Sequence, residues 1–113
     1  MYMKLVNFAL WGKMRAFKKQ MTQKETIGFY YGPPKSNFKV NGRLFYMDST
    51  KNSIEDLITC LEAILPLNEG YKHLVIYTEQ PQYKLNRLLR MIWDDYYQKF
   101  YSVTIYINEK GEK

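Results

Sequence analysis

The amino-acid sequence predicts a single α/β domain with a mixed β-sheet, and three local patterns support that fold class. Ser53 opens a Ser-x-x-Asp capping box, and the apolar residues that follow it recur at helical spacing. Residues 73–78 form an apolar run without alternation, which is typical of a strand buried on both faces of a parallel sheet. Asn41 and Gly42 lie between two strand-like runs and predict a tight antiparallel hairpin.

The first 21 residues leave both a helix and a strand open. Residues 5–11 have the composition of a strand that ends before Gly12, and periodicity cannot separate the two structures in so short a run. Helical spacing nevertheless persists along the whole stretch, so we favour a helix slightly. The apolar residues with that spacing are Met3, Val6, Leu10, Met14, Phe17 and Met21.

Residues 26–48 predict a three-stranded antiparallel meander. Its strands are residues 26–31, 38–40 and 43–47, which are rich in aromatic and β-branched side chains. The capped helix follows, and Pro66 ends it because the residue before a proline avoids helical ψ. The buried strand of residues 73–78 comes next.

A second helix is expected to begin at Pro81, whose missing N–H costs nothing at the first helical position. Arg90 and Asp94 have the i,i+4 spacing of an ion pair on its solvent side. The last strand, residues 103–107, alternates apolar and mixed side chains, so we expect one of its faces to meet the core. The apolar stripe of the second helix consists of Leu85, Leu88, Leu89, Ile92, Trp93, Tyr96 and Phe100.

The chain divides into a basic N-terminal segment (residues 1–25), a mixed-sheet core (26–108) and a charged tail (109–113). Its net charge of +6 and isoelectric point of about 9.3 favour a polyanionic partner, because clustered Lys and Arg attract phosphates. The alternative is that these cations form solvated faces with no ligand. The candidate phosphate-contacting residues are Lys13, Arg15, Lys18, Lys19, Lys24, Lys84, Arg87 and Arg90.

The amino-acid composition also indicates in which cellular compartment the protein is expected. The single cysteine, Cys60, cannot form an intramolecular disulfide and is compatible with a reducing environment. Residues 1–11 lack the pattern of a secretory signal, and the longest apolar runs are too short to span a bilayer. We therefore expect a cytoplasmic protein without membrane association.

Two passages resemble the ribonuclease H-like family. Residues 48–57, Asp-Ser-Thr-Lys-Asn-Ser-Ile-Glu-Asp-Leu, resemble the Thr-Asn-Asn-x-x-Glu-Leu passage where that family's third strand gives way to its first helix. Residues 70–79, Gly-Tyr-Lys-His-Leu-Val-Ile-Tyr-Thr-Glu, resemble its fourth strand, which ends in Thr-Asp-Ser. In element order the similarity covers residues 26–108 and implies a ribonuclease H-like arrangement of strands and helices.

The resemblance also implies which acidic residues remain. Glu55 matches the family's helix carboxylate, and Glu79 replaces the Asp at the end of the fourth strand. No residue matches the Asp of the first strand, and the family's last helix would lie beyond Lys113. Two-metal phosphodiester cleavage needs several carboxylates around both ions, so we expect hydrolytic activity to be absent. Asp48, Glu55 and Glu79 are the residual catalytic candidates.

Other common chemistries lack their residues in this sequence. His73 is the only histidine, which excludes most His-based metal sites and triads. There is no Walker motif, no Gly-x-Gly-x-x-Gly and no Cys-x-x-Cys, so we expect no cofactor and no bound metal. Free cysteine usually behaves as a small buried hydrophobe, and we expect this of Cys60.

Three functions remain open. The first is a non-catalytic nucleic-acid-binding module, for DNA or RNA, that contacts phosphates through its basic residues. The second is a protein-interaction domain, such as a small inhibitor or adaptor, whose edge strands also permit a homodimer. The third is a divergent metal-dependent nuclease that uses the three residual acids. Charge and resemblance point to the first.

Overall fold

A computed structural model describes residues 2–7, 25–34, 40–67 and 70–107 of the chain. Its five strands form one sheet, in the order β1-β5-β4-β2-β3, and every neighbouring pair is parallel. The described part of the chain is therefore α/β, as predicted, but its sheet is parallel throughout and not mixed. The strands are β1 (Tyr2–Asn7), β2 (Thr26–Gly32), β3 (Gly42–Asp48), β4 (His73–Thr78) and β5 (Ser102–Ile107).

Helices connect β3 to β4 and β4 to β5. The first connection carries α1 (Ile54–Ile64) and a 3₁₀ turn (Leu65–Leu67). None of the described helices is long and apolar enough to cross a bilayer. The second connection, which we call the 82–99 segment, consists of a 3₁₀ turn (Gln82–Leu85), α2 (Asn86–Met91), a π-helical turn (Ile92–Tyr96) and a 3₁₀ turn (Tyr97–Lys99).

The capping box at the start of α1 is confirmed. The Ser53 Oγ accepts a hydrogen bond from the Asp56 N–H at 3.2 Å, and the Asp56 Oδ2 accepts one from the Ser53 N–H at 2.8 Å. These bonds satisfy donors that have no partner within the helix. The side of α1 that faces the sheet buries Leu57, Ile58 and Leu61.

The buried strand is also confirmed, because β4 lies between β2 and β5 in the sheet. Leu74 and Ile76 point to the face covered by the helices, where they belong to the main apolar core. Val75 and Tyr77 point to the opposite face, where they form a second buried cluster with Tyr30 and Tyr106. Apolar side chains are therefore needed at successive positions of this strand.

The predicted antiparallel meander is wrong, because β2 and β3 pair in parallel. A type I′ hairpin needs positive φ at both central residues, and Gly70 is the only described glycine with positive φ. Gly42 instead begins β3, where an added Cβ would lie 1.9 Å from the Thr26 carbonyl oxygen. This glycine thus allows a close backbone approach. Of the predicted middle strand, Val40 is not in a strand and residues 38–39 lie outside the described residues.

Two further predictions about strands need correction. Residues 2–7 form a strand parallel to β5, and not the helix that we favoured there, while residues 8–21 lie outside the described part of the chain. Every residue of β5 is buried, so both of its faces are covered and not one alone. Its position between β1 and β4 accounts for this, since interior strands of a parallel sheet lie between two covered faces.

The second predicted helix is present, but it is not a single regular α-helix. Leu88, Ile92, Tyr96 and Phe100 recur every four residues and are all buried. The α-helical part ends at Met91, and a π-helical turn follows in which the Tyr97 N–H donates to the Ile92 carbonyl. A 3₁₀ turn then leads to Phe100, whose backbone is extended.

Candidate nucleic-acid interface

The basic side of the 82–99 segment is exposed. Lys84, Arg87 and Arg90 all have exposed side chains, while Leu85 and Leu88 on the opposite side are fully buried. Residues three apart on a helix are neighbours, so Arg87 and Arg90 lie one turn from each other and follow Lys84 along the same side. We call these three residues the basic row.

One member of the basic row is engaged in an ion pair. The Arg87 guanidinium contacts the Glu55 carboxylate of α1, and both side chains are more than half exposed, so the pair adds little to stability. The other ion pair among the described residues joins Lys72 to Glu25 at 3.3 Å. The expected Arg90–Asp94 pair does not form within 4 Å in the described part of the chain. No ion pair among the described residues engages Arg90 or Lys84.

Two large aromatic residues are exposed on the same segment. Tyr83 precedes the basic row and is 72% exposed, and Trp93 follows it and is 55% exposed. The Trp93 and Tyr97 rings stack with their centroids 4.5 Å apart and their planes 17° apart. Residues four apart on a helix are neighbours, which brings these two rings together on the outer side of the segment. Trp93 thus lies outside the apolar stripe to which the sequence assigned it.

Acidic residues lie at one end of this surface. Asp94 and Asp95 follow Trp93 and are both exposed. Their charges oppose a polyanion that continues past Trp93, so the favoured path of an anionic chain lies between Trp93 and Tyr83. The surface is therefore short, with cations between two aromatic residues and acids at one end.

Five of the sequence-predicted phosphate contacts are not placed by the structure. They lie outside the described residues and stay predictions: Lys13, Arg15, Lys18, Lys19 and Lys24.

The three residual acidic candidates lie in three different environments. Asp48 ends β3, where its Oδ1 accepts hydrogen bonds from the Thr50 N–H and hydroxyl, and these bonds lower the pKa of the carboxyl. Glu55 is exposed and pairs with Arg87. Glu79 is buried, and its Oε2 accepts a hydrogen bond from the Tyr77 hydroxyl at 2.8 Å. Among the described residues, no group of three or more His, Cys, Asp or Glu side chains could hold a metal ion.

A cluster of tyrosines surrounds Glu79, and sequence reasoning missed it. Tyr30 stacks on Tyr46 and on Tyr77, with centroid distances of 4.5 and 5.1 Å. Burial, and then the nearby Glu79 carboxylate, raises the pKa of Tyr30 far above its ordinary value, so its hydroxyl stays protonated. That hydroxyl donates to the Pro33 carbonyl at 2.7 Å. The register of β2, β3 and β4 brings these rings together, and no single strand reveals it.

His73 and Cys60 have structural surroundings. The His73 Nδ1 lies 2.6 Å from the Ser102 Oγ, and Ser102 is buried at the amino end of β5. Burial is the main cause that lowers the pKa of His73, so its imidazole is neutral at pH 7. Burial likewise raises the pKa of the half-buried Cys60 thiol, which therefore lacks the thiolate character of a nucleophile.

Comparisons with protein-family models, curated proteins and solved structures gave no match. The resemblance to the ribonuclease H-like family therefore stays a prediction, and function must be argued from the surface itself.

Proposed function

We propose that this protein is a non-catalytic nucleic-acid-binding module, of the kind that the ribonuclease H-like resemblance implies, and that the basic row contacts phosphates. One observation carries the proposal: Lys84, Arg87 and Arg90 are exposed side by side on a segment whose other side is fixed in the core. Because the segment is packed against the core, no loop has to be ordered before these cations meet a polyanion. The net charge of +6 acts in the same direction, since it favours encounter with any nucleic acid.

The size of the effect follows from counterion release. When Arg87 exchanges Glu55 for a phosphate, three phosphate contacts give a slope of log affinity against log salt of about −2 for a single strand and about −2.7 for a duplex. Contacts from the basic N-terminal segment would make the slope steeper. Binding of this kind is strong at low salt and weak at physiological salt, so the first measurements belong at low ionic strength.

A matched pair of variants tests the proposal. One carries Lys84→Gln, Arg87→Gln and Arg90→Gln, and the other carries Arg43→Gln, Lys51→Gln and Lys72→Gln at exposed positions elsewhere. Both lose three positive charges, so any difference between them reports position and not net charge. Fluorescence anisotropy with labelled DNA and RNA at low salt should show a large loss of affinity for the first variant alone. Absence of binding by the unmodified protein, or equal losses in both variants, would contradict the proposal.

A second candidate function, protein interaction, is favoured by strand β3. It is the last strand of the sheet at one edge, and its side chains are only partly covered, with Tyr46 44% exposed. An uncovered edge strand is a ready template for another strand, including β3 of a second copy. Sedimentation velocity at increasing concentration tests this. A monomer at all concentrations would exclude the homodimer, and a dimer lost on replacing Tyr46 with Lys would support it.

A further inference from the structure

We infer that this surface binds single-stranded nucleic acid, with unpaired bases stacked on Trp93 and Tyr83 and the phosphates between them on the basic row. The inference rests on the proposed function and adds its substrate class. This inference depends on the exposed aromatic rings, whereas the proposed function depends on the cations.

Trp93 is arranged as a stacking platform. Its side chain is 55% exposed although tryptophan is strongly buried on average, and Tyr97 holds it by a nearly parallel stack at 4.5 Å. The turn that carries Trp93 is fixed from the other side by the buried Ile92 and Tyr96. A ring held in one orientation loses little conformational freedom when a base stacks on it.

The dimensions suit a short stretch of single strand. Tyr83 and Trp93 are ten residues apart, which corresponds to about 15 Å along a helix. The three cations lie between them in sequence, so aromatic rings flank a run of phosphate-binding side chains. This length fits the low end of the site sizes of single-strand-binding modules, about 4–16 nucleotides.

A duplex cannot use the aromatic rings in the same way. Its bases are stacked on one another, and their faces are closed to a protein side chain unless the helix opens. The basic row can touch the phosphates of either form, but only unpaired bases add stacking. Base–aromatic stacking strengthens binding by about 5- to 150-fold per base. We therefore expect the single strand to bind at least about fivefold more tightly than the duplex.

The experiment compares three 12-nucleotide probes: oligo-dT, a duplex, and an abasic strand that keeps the phosphates but lacks bases. In a Trp11→Phe background Trp93 is the one remaining tryptophan, so the tryptophan fluorescence of the protein responds directly to a base that stacks on Trp93. We expect oligo-dT to quench this fluorescence and to bind at least about fivefold more tightly than the other two probes. Trp93→Ala should remove that preference, and Tyr83→Ala should reduce it.

The control is Tyr101→Ala, which removes a ring that is 66% exposed just before β5 and contacts His73 and Lys72. It should leave the preference for oligo-dT unchanged. Equal binding of all three probes, or a Trp93 signal that oligo-dT does not quench, would overturn the inference and leave the proposed function standing. Failure to bind any of the probes would overturn both.

Discussion

The two sides of the 82–99 segment obey different constraints. On the inner side Leu85, Leu88 and Ile92 are each 0% exposed and pack into the main core. On the outer side Tyr83 and Trp93 are 72% and 55% exposed. The fold explains the inner residues completely, since each fills space under the sheet. The fold does not require an aromatic residue or a cation at the outer positions. The outer side chains are therefore candidates for a binding surface.

The π-helical turn links the two sides. It contains Ile92 and Tyr96, which are buried on the inner side, and Trp93, whose ring stacks on Tyr97 on the outer side. One turn of the segment thus contributes both to the core and to the exposed aromatic pair.

The largest effect on stability is expected on the inner side. Leu88→Ala leaves a cavity where the side chain is fully buried, so the free energy of unfolding should fall by about 2–5 kcal/mol in urea titrations. The matched outer change, Arg90→Ala, should alter it by less than about 0.5 kcal/mol. A similar decrease in the free energy of unfolding in both variants would contradict the proposed difference between the two sides.

An intermediate effect is expected at the start of α1, whose first turn also carries Glu55, the partner of Arg87. Ser53→Ala removes the acceptor of the Asp56 N–H and should lower the free energy of unfolding by about 1 kcal/mol. Ser53→Asn keeps a side-chain oxygen and should stay close to the unmodified protein. If alanine and asparagine were equivalent, the cap would not be a source of stability.

A smaller and pH-dependent effect is expected at His73. Its pKa is lowered in the folded protein from about 6.5, mainly by burial, and Lys72 acts in the same direction while Glu25 opposes it. As the pH falls below about 6.5 the unfolded chain takes up a proton that the folded protein excludes, so stability decreases. In unfolding titrations at several pH values, His73→Gln should flatten this decline. An unchanged slope would show that other groups cause it.

The sequence was sufficient wherever the signal was local. Ser53 and Asp56 predicted the capped helix, and the unbroken apolar run predicted that β4 is covered on both faces. The direction of β3 was not predictable in this way, because only nine residues (33–41) separate it from β2. So short a connection favours antiparallel pairing, and Gly42 was read as a turn residue although it permits a close backbone contact.

The candidate interface was predictable in part. Helical spacing is enough to place Lys84, Arg87 and Arg90 on one side, and it did so. The same reasoning put Trp93 in the apolar stripe, because it follows Leu89 by four residues, although its side chain is 55% exposed. The tyrosines around Glu79 depend on strand register, which one sequence does not reveal.

The salt dependence of binding tests the central claim most directly. We expect the slope of log affinity for oligo-dT against log salt to decrease in magnitude by about 2 when Lys84, Arg87 and Arg90 are replaced with Gln. The variant with Arg43, Lys51 and Lys72 replaced should keep the slope of the unmodified protein. Equal slopes in all three proteins would show that the basic row does not contact phosphates and would contradict the account.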